Sequence, residues 1–151
     1  MKGRVIKGLA VCIAIIAMAA CGPKTTVEQR VQKLRMEHEI TPVGSTMLTD
    51  DQGKPTLIVD LRIVNRGTVH LPHLTVKVEV RGPHGTIKAS RRVTLNLAKA
   101  QPGIGIQVAA RLPGVQAGPH DQVTVELENP LPPSVIRTLP EFADIAGAHA
   151  K

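Results

Sequence analysis

Aromatic side chains are almost absent from this chain of 151 residues, which has one phenylalanine, Phe142, and neither tryptophan nor tyrosine. Proteins that bind single-stranded nucleic acids stack the bases on aromatic rings inside a basic groove. Beyond the adjacent Arg91 and Arg92, the sequence has no basic cluster. We therefore expect no nucleic-acid partner, and the shortage of rings argues equally against an aromatic platform for carbohydrate.

Cysteine is also scarce, and both cysteines, Cys12 and Cys21, lie near the N-terminus. The first seven residues, MKGRVIK, carry three basic side chains and no acid, and the 16 residues from Gly8 to Pro23 carry no charge. A basic start followed by an apolar run with small residues at its end is typical of a secretory signal peptide. A helix needs about 20 residues to span a bilayer. The pattern therefore predicts a cleaved signal peptide over residues 1–20.

The end of the run, Met18-Ala19-Ala20-Cys21, resembles the lipobox of bacterial lipoproteins. The resemblance implies that Cys21 is acylated, that the chain is cut before it, and that the lipid bilayer is a partner. Gly22 follows the cysteine where an aspartate would be an inner-membrane signal, which by analogy with sorting in enteric bacteria implies the outer membrane, facing the periplasm. The alternative is an ordinary signal peptide that is cut nearby and leaves a free thiol.

A chain cut before Cys21 and acylated there has no thiol for a disulfide, although export takes it to an oxidising compartment. Its stability must then come from a hydrophobic core, for which about 130 residues are enough. Residues 21–32 are predicted to be a tether. A helix over residues 25–33 is the other interpretation, because Val27, Val31 and Leu34 follow helical spacing.

From Leu34 onwards apolar and polar residues alternate, which is typical of half-buried strands. Turn sequences such as DDQGKP at 50–55 and GPHG at 82–85 separate about six such segments. The connections are mostly too short for a crossover helix, so we expect antiparallel pairing. The sequence predicts an all-β fold, an immunoglobulin-like antiparallel sandwich of about six to seven strands over residues 33–129.

The body of the chain also resembles a known group of domains. An alternating strand that ends in Asn65-Arg66-Gly67, a second alternating strand, the turn GPHGTI and a later Pro-Gly resemble the immunoglobulin-like FxLYD group of accessory domains in bacterial envelope proteins. The resemblance covers residues 55–128, with Val80-Arg81-Gly82 where Leu-Tyr-Asp would be expected. It implies a sandwich fold and a non-enzymatic role.

The C-terminal residues 130–151 form a proline-rich tail, since Pro130, Pro132 and Pro133 prevent regular strand pairing. Apolar residues follow at roughly helical spacing, so the tail has a possible short helix. One interpretation is that the tail packs across an open edge of the sandwich. The other is that it docks a partner through Leu139 and Phe142.

Two histidines, His70 and His73, have the spacing of metal ligands, and imidazole suits copper and zinc. Successive loops of an antiparallel sandwich lie at opposite ends, so His84 and His120 cannot complete a tetrad with them. We expect solvated loop histidines and no cofactor. His70 and His73 are nevertheless the candidates if the protein carries a metal or a small ligand.

Catalysis has little support, because the serines stand in no nucleophile-elbow context and the processed chain has no free cysteine. The sequence predicts a non-enzymatic, membrane-anchored lipoprotein of the cell envelope that works as a protein-interaction or scaffold module. Its partner would be another envelope protein. A metal or small-ligand carrier, or a pilot lipoprotein for an envelope secretion or assembly system, are the alternatives. The candidate contact residues are Arg62, Lys77, Glu79 and Arg81, or Leu139 and Phe142.

Overall fold

The computed structural model describes residues 24–148, and the predicted signal peptide, lipobox and acylated Cys21 lie outside the described residues. The described chain folds into two three-stranded antiparallel sheets. Their strands are β1 (His38–Thr49), β2 (Pro55–Asn65), β3 (His73–Arg81), β4 (Ile87–Asn96), β5 (Gly105–Pro113) and β6 (Gln122–Glu126). The first sheet has the order β1-β2-β5 and the second β4-β3-β6. The predicted all-β antiparallel sandwich is confirmed.

The main hydrophobic core lies between the two sheets and is built by their two central strands. β2 and β3 alternate as predicted, and each sends every second side chain inward. These inward residues are Leu57, Val59, Leu61 and Ile63 from β2 and Leu74, Val76, Val78 and Val80 from β3, all of them buried. Each such side chain contributes about 1.5–3 kcal/mol when it leaves water. The core therefore holds the sandwich without a disulfide.

Three helices pack together against the second sheet and form what we call the helical cap. They are α1 (Val27–Met36), α2 (Pro133–Ile136) and α3 (Pro140–Gly147). A second buried cluster joins them, made of Val31, Leu34, Leu71, Leu131, Ile136, Leu139 and Ile145. None of the helices within residues 24–148 combines the length and the apolar character that a membrane crossing requires.

The strand predicted to start at Leu34 is wrong at its beginning, because α1 continues to Met36 and β1 starts at His38. A capping box starts the helix. The Thr26 hydroxyl accepts a hydrogen bond from the Gln29 backbone N–H at 3.2 Å, and the Gln29 side chain accepts one from the Thr26 N–H at 3.0 Å. This motif satisfies two of the free N–H groups of the first turn. Half of the predicted tether therefore belongs to a folded helix.

Candidate functional site

The helical cap meets the sandwich at the point where β6 stops. β6 pairs with β3 only from Lys77 to Arg81 and ends at Glu126. The backbone of Thr75, two residues before this ladder, points to the side of the missing strand. Its N–H donates to the Glu141 carboxylate, and its C=O accepts a hydrogen bond of 2.7 Å from the Arg35 guanidinium. Two side chains from the cap thus replace the hydrogen bonds of a continuing strand.

Arg35 and Glu141 also face each other, with 3.5 Å between Arg35 Nε and Glu141 Oε1, and both side chains are almost completely buried. Burial lowers the pKa of the Arg35 guanidinium, and the charge of Glu141 opposes that shift. The other carboxylate oxygen accepts a 3.0 Å hydrogen bond from the Thr75 hydroxyl. A charged pair at this depth costs solvation free energy, so its value lies in fixing one geometry of cap and sheet.

The proline-rich tail follows the first of the two predicted interpretations, packing, rather than extending into solvent. Leu139 is buried in the cap cluster and Phe142 packs against it, partly buried. His73, at the start of β3, is tied to α3 by a contact of 3.0 Å between its Nδ1 and Asp144 Oδ2. Leu139 therefore presents no free apolar surface to a partner, and little of Phe142 is available.

A groove of about 620 Å³ runs along the exposed side of α1, between this helix and the proline-rich segment. Its volume lies in the range of ligand pockets. Its walls include Gln29, Gln32, Lys33 and Met36 from α1 and Asn129, Pro130, Leu131, Pro133 and Ile136 from the tail. A salt bridge of 2.6 Å between Arg137 Nε and Glu28 Oε1 links the two walls. Sequence reasoning missed the groove because residues distant in the chain build it.

The two candidate metal ligands do not point at one another. His70 Nε2 lies 3.0 Å from the Leu97 carbonyl oxygen, and His73 is bound to Asp144. Within residues 24–148, no group of three or more histidine, cysteine or acidic side chains is placed to hold a metal ion. The geometry thus gives no support to a metal site at this loop.

A third histidine, His38, is buried where α1 passes into β1. Its Nδ1 lies 2.9 Å from the Leu34 carbonyl oxygen, so Nδ1 carries the proton and donates. In the described part of the chain, the opposite nitrogen, Nε2, is buried without a hydrogen-bond partner. Burial lowers the pKa of this imidazole, and its backbone hydrogen bonds partly oppose the shift. His38 is therefore held neutral, with a poor environment for a second proton.

Three of the four charged contact candidates lie together on the outer face of the second sheet. Glu79 sits between Lys77, at 2.6 Å, and Arg81, at 2.5 Å. The hydrogen bond from Lys77 is the main reason that the pKa of Glu79 is lowered. Arg62 is on β2, in the other sheet, and does not belong to this group. Nearby, Arg92 pairs with Glu128 at 2.6 Å.

The side of the sandwich between β1 and β6 is open. All residues of β1 from Thr41 onwards are exposed, including Val43, Met47 and Leu48. Ser45, Met47, Leu57 and Val123 line a groove there together with the loop before β6. The sequence feature that marks this surface is the absence of charged residues from Ile40 to Thr49.

No family model matches the chain, and neither a curated protein nor a solved structure matches it. Function is therefore inferred from its own residues.

Proposed function

We propose that the protein is a lipoprotein of the bacterial cell envelope, anchored through an acylated Cys21, and that it serves as a non-enzymatic protein-interaction or scaffold module. The lipobox-like Met18-Ala19-Ala20-Cys21, at the end of an uncharged run, is the observation that carries the proposal. Gly22 favours the outer membrane with the domain facing the periplasm.

The short link between the anchor and the fold supports this role. Only residues 22–26 separate Cys21 from the start of α1 at Val27. Extended chain spans at most about 3.3–3.6 Å per residue, so these residues keep α1 within roughly 20 Å of the acylated sulfur. A module joined in this way would work next to the bilayer.

The attachment of α1 to the sandwich supports it further. Val31 is completely buried in the cap, and Arg35 bonds to the backbone of β3. Because α1 is packed this firmly, an anchor next to α1 holds the whole domain near the membrane. The groove beside α1 and the outer face with Lys77 would then both stay close to the membrane, as a scaffold requires.

The shifted carboxylates favour a structural rather than a catalytic role. The pKa of Glu128 is lowered chiefly by its hydrogen bond from Arg92, and that of Asp121 chiefly by its hydrogen bond from Lys88. Both groups stay ionised beside a cationic partner. A general acid at neutral pH needs the opposite shift, upwards.

Mass spectrometry of the membrane fraction tests the anchor. We expect the wild-type chain to begin at an acylated Cys21, while a Cys21→Ser variant is recovered without lipid. One chain of myristoyl size gives only marginal, reversible binding, so stable membrane attachment needs the several acyl chains of a processed lipoprotein. A wild-type chain that fractionates with the soluble proteins and carries no acyl mass would refute the proposal.

Chemical crosslinking in intact envelopes tests the interaction role. We expect adducts between the wild-type chain and an envelope protein, and fewer adducts when Met36→Glu puts a charge into the α1 groove. Ile104→Glu is the matched control, because Ile104 is an exposed aliphatic residue just before β5 that does not line the groove. Equal adducts from both variants would remove the groove from the binding surface, and no adduct from wild type would oppose the scaffold role.

A further inference from the structure

The second sheet ends at β6 on its open side. Among residues 24–148, β6 pairs only with β3, and the chain then turns into α2 and α3. In an immunoglobulin sandwich the strand at this position, F, lies between C and a last strand, G. The strand that would correspond to G is not formed by the described residues. Within the described residues, β6 therefore has a free edge.

The first sheet shows the same gap, at the position opposite the strand that would lie beside β6. Ser45 and Met47 of β1 pair with Val59 and Leu57 of β2 and so share the inner face of the sheet with them. The β2 residues are buried, whereas Ser45 and Met47 are exposed. The described residues thus cover the inner face of β1 only in part, through the loop before β6, whose Ala117 N–H donates to Met47 Sδ at 3.5 Å.

The direction of the backbone groups along β6 follows from the contacts of Thr75. Because its N–H and C=O face the β6 side, those of Lys77, Glu79 and Arg81 do so as well. Their partners in β6 are Glu126, Thr124 and Gln122. The two residues in between, Val123 and Val125, thus point their N–H and C=O away from β3, towards the free edge. Their side chains face the core.

We propose that β6 of a second copy of this chain fills the gap, with the two β6 strands paired antiparallel and centred on Thr124. Such pairing joins two three-stranded sheets into one of six strands. The inference rests on the proposed role as an interaction module and names its first partner, but it does not need the lipid.

The sequence of β6, QVTVE, is complementary to itself in this register. Thr124 lies opposite Thr124 of the second copy, Val123 opposite Val125, and Gln122 opposite Glu126. No like charges meet, and the valines of both copies face the partly covered inner side of β1. The outward N–H and C=O groups of Val123 and Val125 pair with those of the other copy. A contact of this kind is isologous and closes as a dimer.

The symmetry of the pair is compatible with two anchors in one membrane. The valines of both copies must face the same core side, so the twofold axis runs perpendicular to the paired sheet. α3 packs on the outer face of β3 through His73 and Thr75. Both caps, with both α1 helices, then lie on one side of the dimer.

The opposite edge of the same sheet is unsuited to this contact. Arg91 of β4 pairs with Val78, a core residue, and so stands on the inward side of an edge strand. A charged side chain in such a position prevents edge-to-edge pairing. The neighbouring Lys88 and Arg92 are already paired with Asp121 and Glu128, so Arg91 alone carries this effect. The inward charge of Arg91 therefore opposes pairing of two β4 edges, whereas two β6 edges match.

A single cysteine at the centre of the pair tests the proposal. In the non-hydrogen-bonded position predicted for Thr124, the two Cα atoms would be about 4.5 Å apart, which lies within the range for a disulfide. We expect Thr124→Cys in the full chain to give a product of doubled apparent mass after mild oxidation of membranes, and reduction to abolish it. Ser90→Cys, on the β4 edge, should stay monomeric.

The same variants in a Cys21→Ser background separate this inference from the anchor, because the dimer should form with or without lipid. Acyl mass on Cys21 reports on the anchor alone. A missing dimer, an equally strong dimer from Ser90→Cys, or a disulfide adduct with a different polypeptide would overturn the proposal, whatever the fractionation shows.

A charge exchange provides a second readout without a disulfide. Thr124→Lys and Thr124→Glu should each sediment as monomers, because like charges then meet at the twofold axis. Their equimolar mixture should form a dimer of one Lys and one Glu chain. Lys77 and Arg81 flank Glu79, which lies opposite position 124 in the same chain, so each variant keeps an opposite charge nearby. If the mixture sediments as monomers, or if either variant alone dimerises, the proposed register is wrong.

Discussion

The sandwich and the helical cap are held together in different ways. Between the sheets the core is made of aliphatic side chains only, whereas the cap has a fully buried Arg35–Glu141 pair beside its aliphatic cluster. Aliphatic contacts have no direction, and their loss is graded with the volume removed. A buried ion pair is directional, and removal of one partner leaves an uncompensated charge. The cap is therefore the more specific and the more easily broken of the two regions.

The two regions also differ in how they are assembled along the chain. Two of the four strand pairs join neighbours in sequence, β1 with β2 and β3 with β4, and the other two join β2 with β5 and β3 with β6. The cap instead unites the two ends of the described chain, α1 and α3, on one backbone residue, Thr75. Removing the tail would therefore take away Glu141 and expose the cap cluster. Point substitutions are the better way to test what the tail does.

The largest effect is expected from Glu141→Ala. It leaves the Arg35 guanidinium buried without a counter-charge and the Thr75 N–H without an acceptor, so the free energy of unfolding should fall by about 3–5 kcal/mol. Denaturant titration measures this loss. Hydrogen exchange should show that α1 and α3 lose protection before β2 and β3 do. A loss near 1 kcal/mol, spread evenly over the chain, would mean that the cap is not the weaker region.

The double variant Arg35→Met with Glu141→Leu is the control for the charge. Apolar replacements of a whole buried ion pair are often neutral or stabilising. Here the backbone of Thr75 loses both its partners, and an unsatisfied buried group costs about 1–3 kcal/mol. We therefore expect the double variant to be more stable than Glu141→Ala, yet less stable than wild type. Full recovery would show that the Thr75 contacts contribute little.

The sandwich side of the comparison is tested by Leu61→Ala. Leu61 is fully buried at the centre of β2, and deletion of its side chain should cost roughly 2–5 kcal/mol through lost burial and the remaining cavity. Leu48→Ala is the matched control on the neighbouring strand, since Leu48 is 48 % exposed and should change stability by less than about 0.5 kcal/mol. Thermal unfolding of both variants provides the measurement. Similar losses from both would contradict the placement of the core.

Much of the sandwich could be predicted because each strand carries its own signal. In β2 and β3 every second residue is apolar and faces the core, and turn residues bound both strands, so the local pattern and the global fold agree. The start of β1 was misplaced for a physical reason. Leu34, Met36 and His38 fit a period of two, while Val27, Val31 and Leu34 fit the helix. The Thr26–Gln29 capping box and the burial of Val31 favour the helix.

The cap and the open edge could not be predicted from local patterns. Arg35 and Glu141 look like exposed charges of two amphipathic segments, and only the end of β6 at Glu126 gives them a buried role. The candidate contact residues, in the same way, were grouped by charge, and the fold separates Arg62 from Lys77. Contacts between elements distant in sequence determine both the buried role of the ion pair and the grouping of the contact residues. Such contacts leave no periodic pattern in the sequence.

A smaller effect on stability is expected from a change of pH, through a residue at the boundary between the cap and the sandwich. His38 is buried with a lowered pKa, so the folded state binds its proton less readily than the unfolded state, whose imidazole titrates near 6.5. The contribution of His38 to folding stability is fully present above pH 6.5. It is lost as the pH falls through that value towards the pKa of the folded state. Stability measured between pH 7.5 and 5 should therefore decline. His38→Gln should flatten the decline, while His84→Gln, in an exposed loop, should leave it unchanged.

The smallest effect concerns the start of the cap. Thr26→Ala removes the hydroxyl that accepts the Gln29 N–H and should cost about 1 kcal/mol, the usual value for an N-cap. Thr49→Ala, at the exposed end of β1, is the matched control and should be close to neutral in denaturant titration. Because α1 links Cys21 to the sandwich, hydrogen exchange of Thr26→Ala should increase in α1 and remain unchanged in β2. If exchange rises equally in both elements, α1 and the sandwich open as one unit, and the cap does not unfold separately.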